Sequence, residues 1–252
     1  MDAEWTVVVV FDGDSPPAKE GTRIARRGAR EKARARMEAA TTALDRDKAA
    51  KQCVSLGERV IARVSGIISR SCGCETITAP FEADAQLVTL EQTMSESYNR
   101  TYIYANDSDL LVLGGQCLLY ELKTNSNRQG EFLRQLHGVP RRFSSPTLLP
   151  PEVVDAKLVD LACLAGNDYF KYRGVGIGVA SDIALRDSAN VLRGSAATIK
   201  ALSARMRAKG RSGALTDEEM EANISVSRLM FLHSVVWDLH TGQQRRMTPL
   251  ED

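Results

Sequence analysis

Nothing in these 252 residues resembles a run of about twenty apolar side chains, so no membrane-spanning helix and no membrane partner is expected. The charged opening MDAEW lacks the apolar stretch of a secretory leader. Histidine occurs three times and cysteine five times, an odd number at irregular spacing. That argues against a disulfide scaffold and for free thiols in a reducing compartment. Cys72 and Cys74 form a C-x-C pair, but no second pair or well-placed histidine completes a zinc site. Linker-like stretches and internal repeats are also missing, which favours a single domain over the whole chain, 1–252. Neither sign of charge is in excess, with 33 bases against 32 acids. The balance hides strong local asymmetry.

What is present is an alternation of strand-like and helix-like segments. TVVVVFD reads as a fully buried strand ending in a carboxylate, and DGDSPP then breaks the chain. From about Gly21 to Ala50 runs one long helix rich in Ala, Arg, Glu and Lys, with too few apolar residues for a core-facing stripe. Its start is basic: Lys19, Arg23, Arg26, Arg27, Arg30, Lys32, Arg34 and Arg36 face only Glu20 and Glu31. A second helix, roughly Cys53 to Ser69, carries Val54, Val60, Ile61, Val64 and Ile67 as an apolar stripe. ETITAP gives a strand, Ala85 to Leu90 a helix, and TYIYA and CLLYEL further strands. A helix from Pro150 to Ala165 begins favourably with Pro-Pro-Glu. Gln129 to Leu149 reads as a polar surface connection, and apolar character returns near Phe231 to Asp238. Strands alternating with helices predict an α/β fold with a largely parallel central sheet.

In such a sheet, functional groups collect where strands end and loops leave the core. Asp12 follows VVVVF, Glu82 and Asp84 follow TIT, and Asp107 and Asp109 follow YIYA; Asp168 follows the helix VDLACLAG. Taken singly, each reads as a turn, cap or helix-dipole acid. Together they form a set from distant parts of the chain that could meet at one edge. Such a cluster repels itself unless a cation neutralises it, and an oxygen-only donor set favours Mg²⁺ or Mn²⁺. Two such ions about 4 Å apart can activate a water and stabilise the leaving oxygen of a phosphodiester.

VVVVFDG followed by a basic helix, then APFEADAQL, NDSDLLVLG, LAGNDY and RGVGIGVA, resembles the XPG/flap endonuclease (Rad2-type) family of structure-specific 5′ nucleases. EADAQL and the late FLHSVVWDLHTGQQRRMTPL are most similar to its exonuclease-one branch. The resemblance covers nearly the whole chain in order. It implies a PIN-like 5′ nuclease fold with an arch at about 13–50, an internal XPG-type region at about 75–170 and a helix-three-turn-helix at about 166–190. It also implies two Mg²⁺ ions, with Mn²⁺ able to substitute. Asp84 would lie between them, Asp107, Asp109 and Asp168 on one side, Asp12 and Glu82 on the other. Lys19 and Arg26 match the arch bases that steer the scissile phosphate; seven apart, they face the same way on a helix. Arg23, Arg27 and Arg30 would add salt-sensitive phosphate contacts. Gly174, Gly176 and Gly178 would bring backbone groups to duplex phosphates, with K⁺ bound beside them. The implied activity is hydrolysis of flap, nicked or gapped DNA in repair or replication, by a nuclear monomer.

The pattern departs at its amino end. The family opens with a first β-strand, a further metal-binding aspartate and residues that stack on unpaired DNA, whereas MDAEW leads directly into the strand before Asp12. That segment is therefore expected to be missing from this chain, leaving an unpaired sheet edge or an exposed apolar face. A catalytically inactive DNA-structure-binding module of the same fold is the alternative this departure supports. An RNA-cleaving relative is a third reading, since a carboxylate site of this kind does not distinguish the sugar.

Overall fold

Strand β1, Val8–Phe11, pairs in parallel with β2, Glu75–Thr78, in the register Val8–Glu75 through Phe11–Thr78. The computed structural model describes residues 5–95, 97–98, 101–107, 109–124, 134–140, 151–169 and 216–248. Between the two strands run a short 3-10 turn, Pro17–Lys19, and the helices α1 (Glu20–Ala39), α2 (Ala43–Cys53) and α3 (Glu58–Cys72). After β2 come α4 (Ala83–Met94), β3 (Ile103–Tyr104), α5 (Asp109–Leu113) and β4 (Cys117–Thr124). β3 pairs with β4 in parallel, and β4 pairs antiparallel with β5, Arg134–Pro140. Helices α6 (Pro151–Ala165) and α7 (Asp217–His233) precede a hairpin of β6 (Val235–Asp238) and β7 (Gln243–Arg246). The parallel pairs joined through helices bear out the α/β expectation.

The core is built from α4, α5, α6 and α7 around β3 and β4. Val88, Ile103, Leu110, Leu113, Leu118, Val159, Cys163, Tyr169 and Phe231 are buried together there. Glu91 is buried beside them, and its carboxylate accepts the backbone N–H groups of Gln116 and Cys117 at 2.7 Å each, tying α4 to the start of β4. Asp160 on α6, also buried, pairs with Arg228 on α7. Burial pushes its carboxyl up to about 6, and the Arg228 charge opposes that. The Cys163 thiol nearby is pushed up to about 12, by burial first and by Asp160 second. All five cysteines are free thiols, as the sequence predicts. Among the described residues no helix is long and apolar enough to cross a membrane.

Several expectations need correction. The helix expected over 21–50 breaks at Ala40–Thr42, because the Thr42 hydroxyl accepts the Asp45 N–H and starts α2. The chain folds back, burying Ala33 of α1 and Ala49 of α2; small side chains permit this close approach. The next helix starts at Glu58 rather than near Cys53, and its stripe is open: Val60, Val64 and Ile67 are 46%, 39% and 48% exposed. β1 is half-buried rather than fully buried, since among the described residues it pairs with β2 alone. A groove of about 170 Å³ lies between β1, β3 and α4, walled by Trp5, Val8, Leu87, Leu90, Met94 and Ile103. The polar connection expected over 129–149 contains β5, whose backbone finds partners along β4. The region assigned to the helix-three-turn-helix, with Gly174, Gly176 and Gly178, lies outside the described residues from 170 onward.

Candidate functional site

The parallel pairing of β1 and β2 sends their carboxyl ends the same way, and the two loops that follow are closed against each other by backbone bonds. Gly13 N donates to Phe81 O at 2.6 Å, Asp14 N to Pro80 O at 3.2 Å and Ala79 N to Phe11 O at 2.9 Å. A Cβ on Gly13 would land on the Ala79 carbonyl oxygen, so this approach requires glycine. Asp12 spans the junction: its carboxylate accepts the Ala83 N–H at 2.8 Å, at the first residue of α4. Glu82 is the N-cap residue of α4 but makes no side-chain capping bond. Its carboxylate turns away to Lys19 Nζ, at 2.6 Å, and to the Tyr169 hydroxyl, which donates to Oε2. The crowding of Glu82 and Asp84 is thereby explained. One acid leaves the helix end for a distant partner, and the other occupies the first turn.

Asp107 and Asp109 follow β3. The Asp107 carboxylate accepts the Asp109 N–H at 2.9 Å, which starts α5. Asp168 follows α6 beyond Gly166, a left-handed residue at φ 106° that turns the chain. Its carboxylate receives Arg26 at 2.6 Å and Lys19 at 3.7 Å, and its backbone carbonyl accepts the Thr22 hydroxyl at 2.7 Å. Lys19 and Arg26 therefore both reach Asp168, although Lys19 sits in the turn ahead of α1 rather than within the helix.

The carboxylates feel one another. Burial pushes the Asp84 carboxyl up to about 7, reinforced by Asp107, Glu82 and Asp12, while Lys19 opposes the shift. Asp109 rises to about 6, from burial first and then Asp107, with Asp168 and Glu82 adding and Lys19 again opposing. All six acids thus share one electrostatic neighbourhood. Among the described residues, however, no three acids, cysteines or histidines converge closely enough to hold one ion. The arrangement shows why. Asp12 and Asp107 are turned onto backbone N–H groups, and the Lys19 ammonium lies between Glu82 and Asp168, supplying positive charge itself. The donor set is all hard carboxylate oxygen, the chemistry that suits a divalent cation of the magnesium kind, and two of its members are raised by burial first and by their acidic neighbours second.

Of the other expected phosphate contacts, Arg23 pairs with Glu20 at 2.6 Å along α1, Arg27 is exposed, and Arg30 is half-buried. Sequence reasoning missed Tyr169. Its ring packs edge-on against Phe231 at 5.5 Å, and Lys19 Nζ lies 4.8 Å from the ring centre. Burial, Glu82 and the hydrogen bond together hold its phenol strongly protonated. The motif LAGNDY already places this aromatic beside Asp168. Asn167, also in that motif, accepts the Tyr169 N–H at 2.9 Å and the Ser227 hydroxyl at 3.2 Å, fixing the loop to α7.

Residues 73–168 match the family described as the XPG I-region. Exodeoxyribonuclease 1 of Saccharomyces cerevisiae is 32% identical over 168 residues, covering 64% of this chain and 22% of that protein. Flap endonuclease 1 of Methanosphaerula palustris is 28% identical over 185 residues, covering 71% of this chain and 54% of that protein. The chain spans between about a fifth and about half of the length of these relatives. Among solved structures, the catalytic core of Rad2 in complex with DNA substrate is similar at 18% identity and a TM-score of 0.49, covering 97% of this chain and 68% of that one.

Proposed function

We propose that the chain, which matches the XPG I-region over residues 73–168 and is similar to nucleases of the XPG/Rad2 type, is a divalent-metal-dependent 5′ nuclease hydrolysing phosphodiester bonds in flap, nicked or gapped DNA. The observation that carries this reading is Lys19. It reaches from the base of the basic helix into an acid cluster in which burial first, and neighbouring acids second, push Asp84 and Asp109 up to about 7 and 6. Mg²⁺ ions held among Asp12, Glu82, Asp84, Asp107, Asp109 and Asp168 would supply the Lewis-acid charge that activates water and steadies the leaving oxygen.

The chain's own groups act around that chemistry. Lys19 and Arg26 exchange carboxylate partners for a phosphate, steering the scissile group toward the acids. Tyr169, anchored on Phe231, fixes the Glu82 carboxylate from its other side. Arg23, Arg27 and Arg30 on α1 add contacts to the backbone of the strand. A K⁺-supported duplex contact at Gly174, Gly176 and Gly178, a monomeric state and a nuclear location belong to the same reading.

The test is cleavage of a labelled 5′-flap duplex with Mg²⁺. The parent chain should release 5′-phosphate products, EDTA should stop it, and Asp107→Asn should lower the rate by about 100-fold or more. Lys19→Ala should slow cleavage while preserving the dependence on Mg²⁺. Salt-sensitive flap binding without turnover, unchanged in Asp107→Asn, would replace the enzyme with a DNA-structure-binding module. Cleavage of RNA flaps in preference to DNA would overturn the assignment of substrate.

A further inference from the structure

We propose that the β6–β7 hairpin is a second phosphate-contacting surface, gripping the duplex beside the acid cluster; this rests on the nuclease reading. The hairpin is fixed to the acid-bearing elements at three points. Gln86 lies two residues beyond Asp84 on α4 and is 0% exposed. Its amide donates to Trp237 O at 3.1 Å and accepts the Trp237 N–H at 2.7 Å. The Trp237 indole N–H donates to the carbonyl of Thr78, the last residue of β2, at 3.0 Å. From Thr78 the chain runs through Ala79, Pro80 and Phe81 to reach Glu82. A buried, doubly bonded amide is a rigid tether, so the hairpin and the first turn of α4 hold a set relationship.

The outer strand suits a phosphate backbone. Gln243, Gln244, Arg245 and Arg246 are all exposed, so neither face of β7 is packed against the protein. Asp238 is the hairpin's one acid, and it is engaged internally. It accepts the N–H groups of His240 at 2.9 Å and Thr241 at 3.3 Å, with Arg245 Nε 3.7 Å away. Arg245 also turns its guanidinium back to the carbonyl of Arg246, at 3.2 Å. Arg246, at the open end of the hairpin opposite Val235, is exposed, as are Gln243 and Gln244 nearer the turn and His240 within it. Guanidinium, amide and imidazole groups on a rigid edge are the donors that bind phosphate oxygens without reading sequence. Charges on an open strand also discourage edge-to-edge pairing of copies, but that role needs no tether to the acid-bearing helix.

The experiment is equilibrium binding of the full chain to a fluorescent 5′-flap duplex in EDTA across a salt series. Arg246→Ala should weaken binding about 3- to 10-fold at low salt and lower the slope of log K against log salt by about 0.9, the value for one phosphate contact. Arg246→Lys should restore most of the slope. If the parent binds and the double variant Arg245→Ala/Arg246→Ala keeps its affinity and slope, the hairpin proposal falls while the nuclease reading stands. Failure of the parent to bind the duplex at any salt would remove both.

Discussion

Helices α3 and α4 stand on either side of β2 in the chain, and their sequences and their environments disagree. α3 has the cleaner apolar stripe, with Val60, Ile61, Val64, Ile67 and Ile68, yet it contains no buried residue. α4 reads ADAQLVTLEQTM, a mixture of acids, amides and small residues, yet Ala85, Gln86, Val88, Thr89, Leu90 and Glu91 are all buried. The difference lies in what surrounds each helix. α4 packs against β1, β3, β6 and α5, whereas the strong contact of α3 is with β2. A periodic stripe records which face a helix would bury; the neighbours decide whether it is buried. Polar groups enter the interior of α4 because backbone groups wait there for them: Gln86 meets Trp237, and Glu91 meets Gln116 and Cys117.

The sharpest way to break the comparison is to truncate both helices. Leu90→Ala on α4 should cost about 2–5 kcal/mol, whereas Val64→Ala on α3 should cost about 0.5 kcal/mol or less, both read by urea unfolding. Equal losses would mean that the stripe of α3 is covered in solution. Next in size is Gln86→Leu, which keeps the volume but strands the half-buried N–H and C=O of Trp237. A loss of about 1–3 kcal/mol is expected, with Gln86→Glu intermediate, since one acceptor survives.

Smallest is a gain. The Asp84 carboxyl, at about 7 in the fold, lies above the ordinary carboxylate value of 3.8. The folded chain therefore holds that proton more tightly than the unfolded chain does. The resulting stability is fully present below about pH 4 and is lost as pH rises through about 7. Asp84→Asn should accordingly raise the melting temperature at pH 8 in EDTA by about 2–4 °C and change it little at pH 4. An equal change at both pH values would show that burial and the neighbouring acids do not raise the Asp84 carboxyl in the fold.

The strand-end acids were legible because the rule that places them is local: a β-branched run stops, a carboxylate follows, and parallel pairing aligns the ends. Asp12, Glu82, Asp84, Asp107 and Asp109 needed no knowledge of distant contacts to be singled out. Tyr169 did, because its hydroxyl partner is Glu82, 87 residues earlier in the chain. Glu91 likewise reads as a solvated helix acid until β4 brings two N–H groups to it. The break between α1 and α2 was hidden for a different reason. Ala40–Thr42 is short, and the extended backbone at Ala40 and Thr42, with the capping bond from Asp45 N–H to Thr42, marks a break that composition does not show. The arch bases were legible by charge, but their resting place against Asp168 rather than in solvent was not.

Gly13 has a consequence for anyone reshaping this chain. Gly21, Gly28 and Gly57 could each accept a methyl group into open space. At position 13 the same methyl group would be driven into a neighbouring peptide, and the two loops that carry Asp12 and Glu82 would have to part. Libraries built to alter specificity can therefore vary Gly21 and Gly28 on the basic helix, but this one hydrogen atom has to be inherited unchanged.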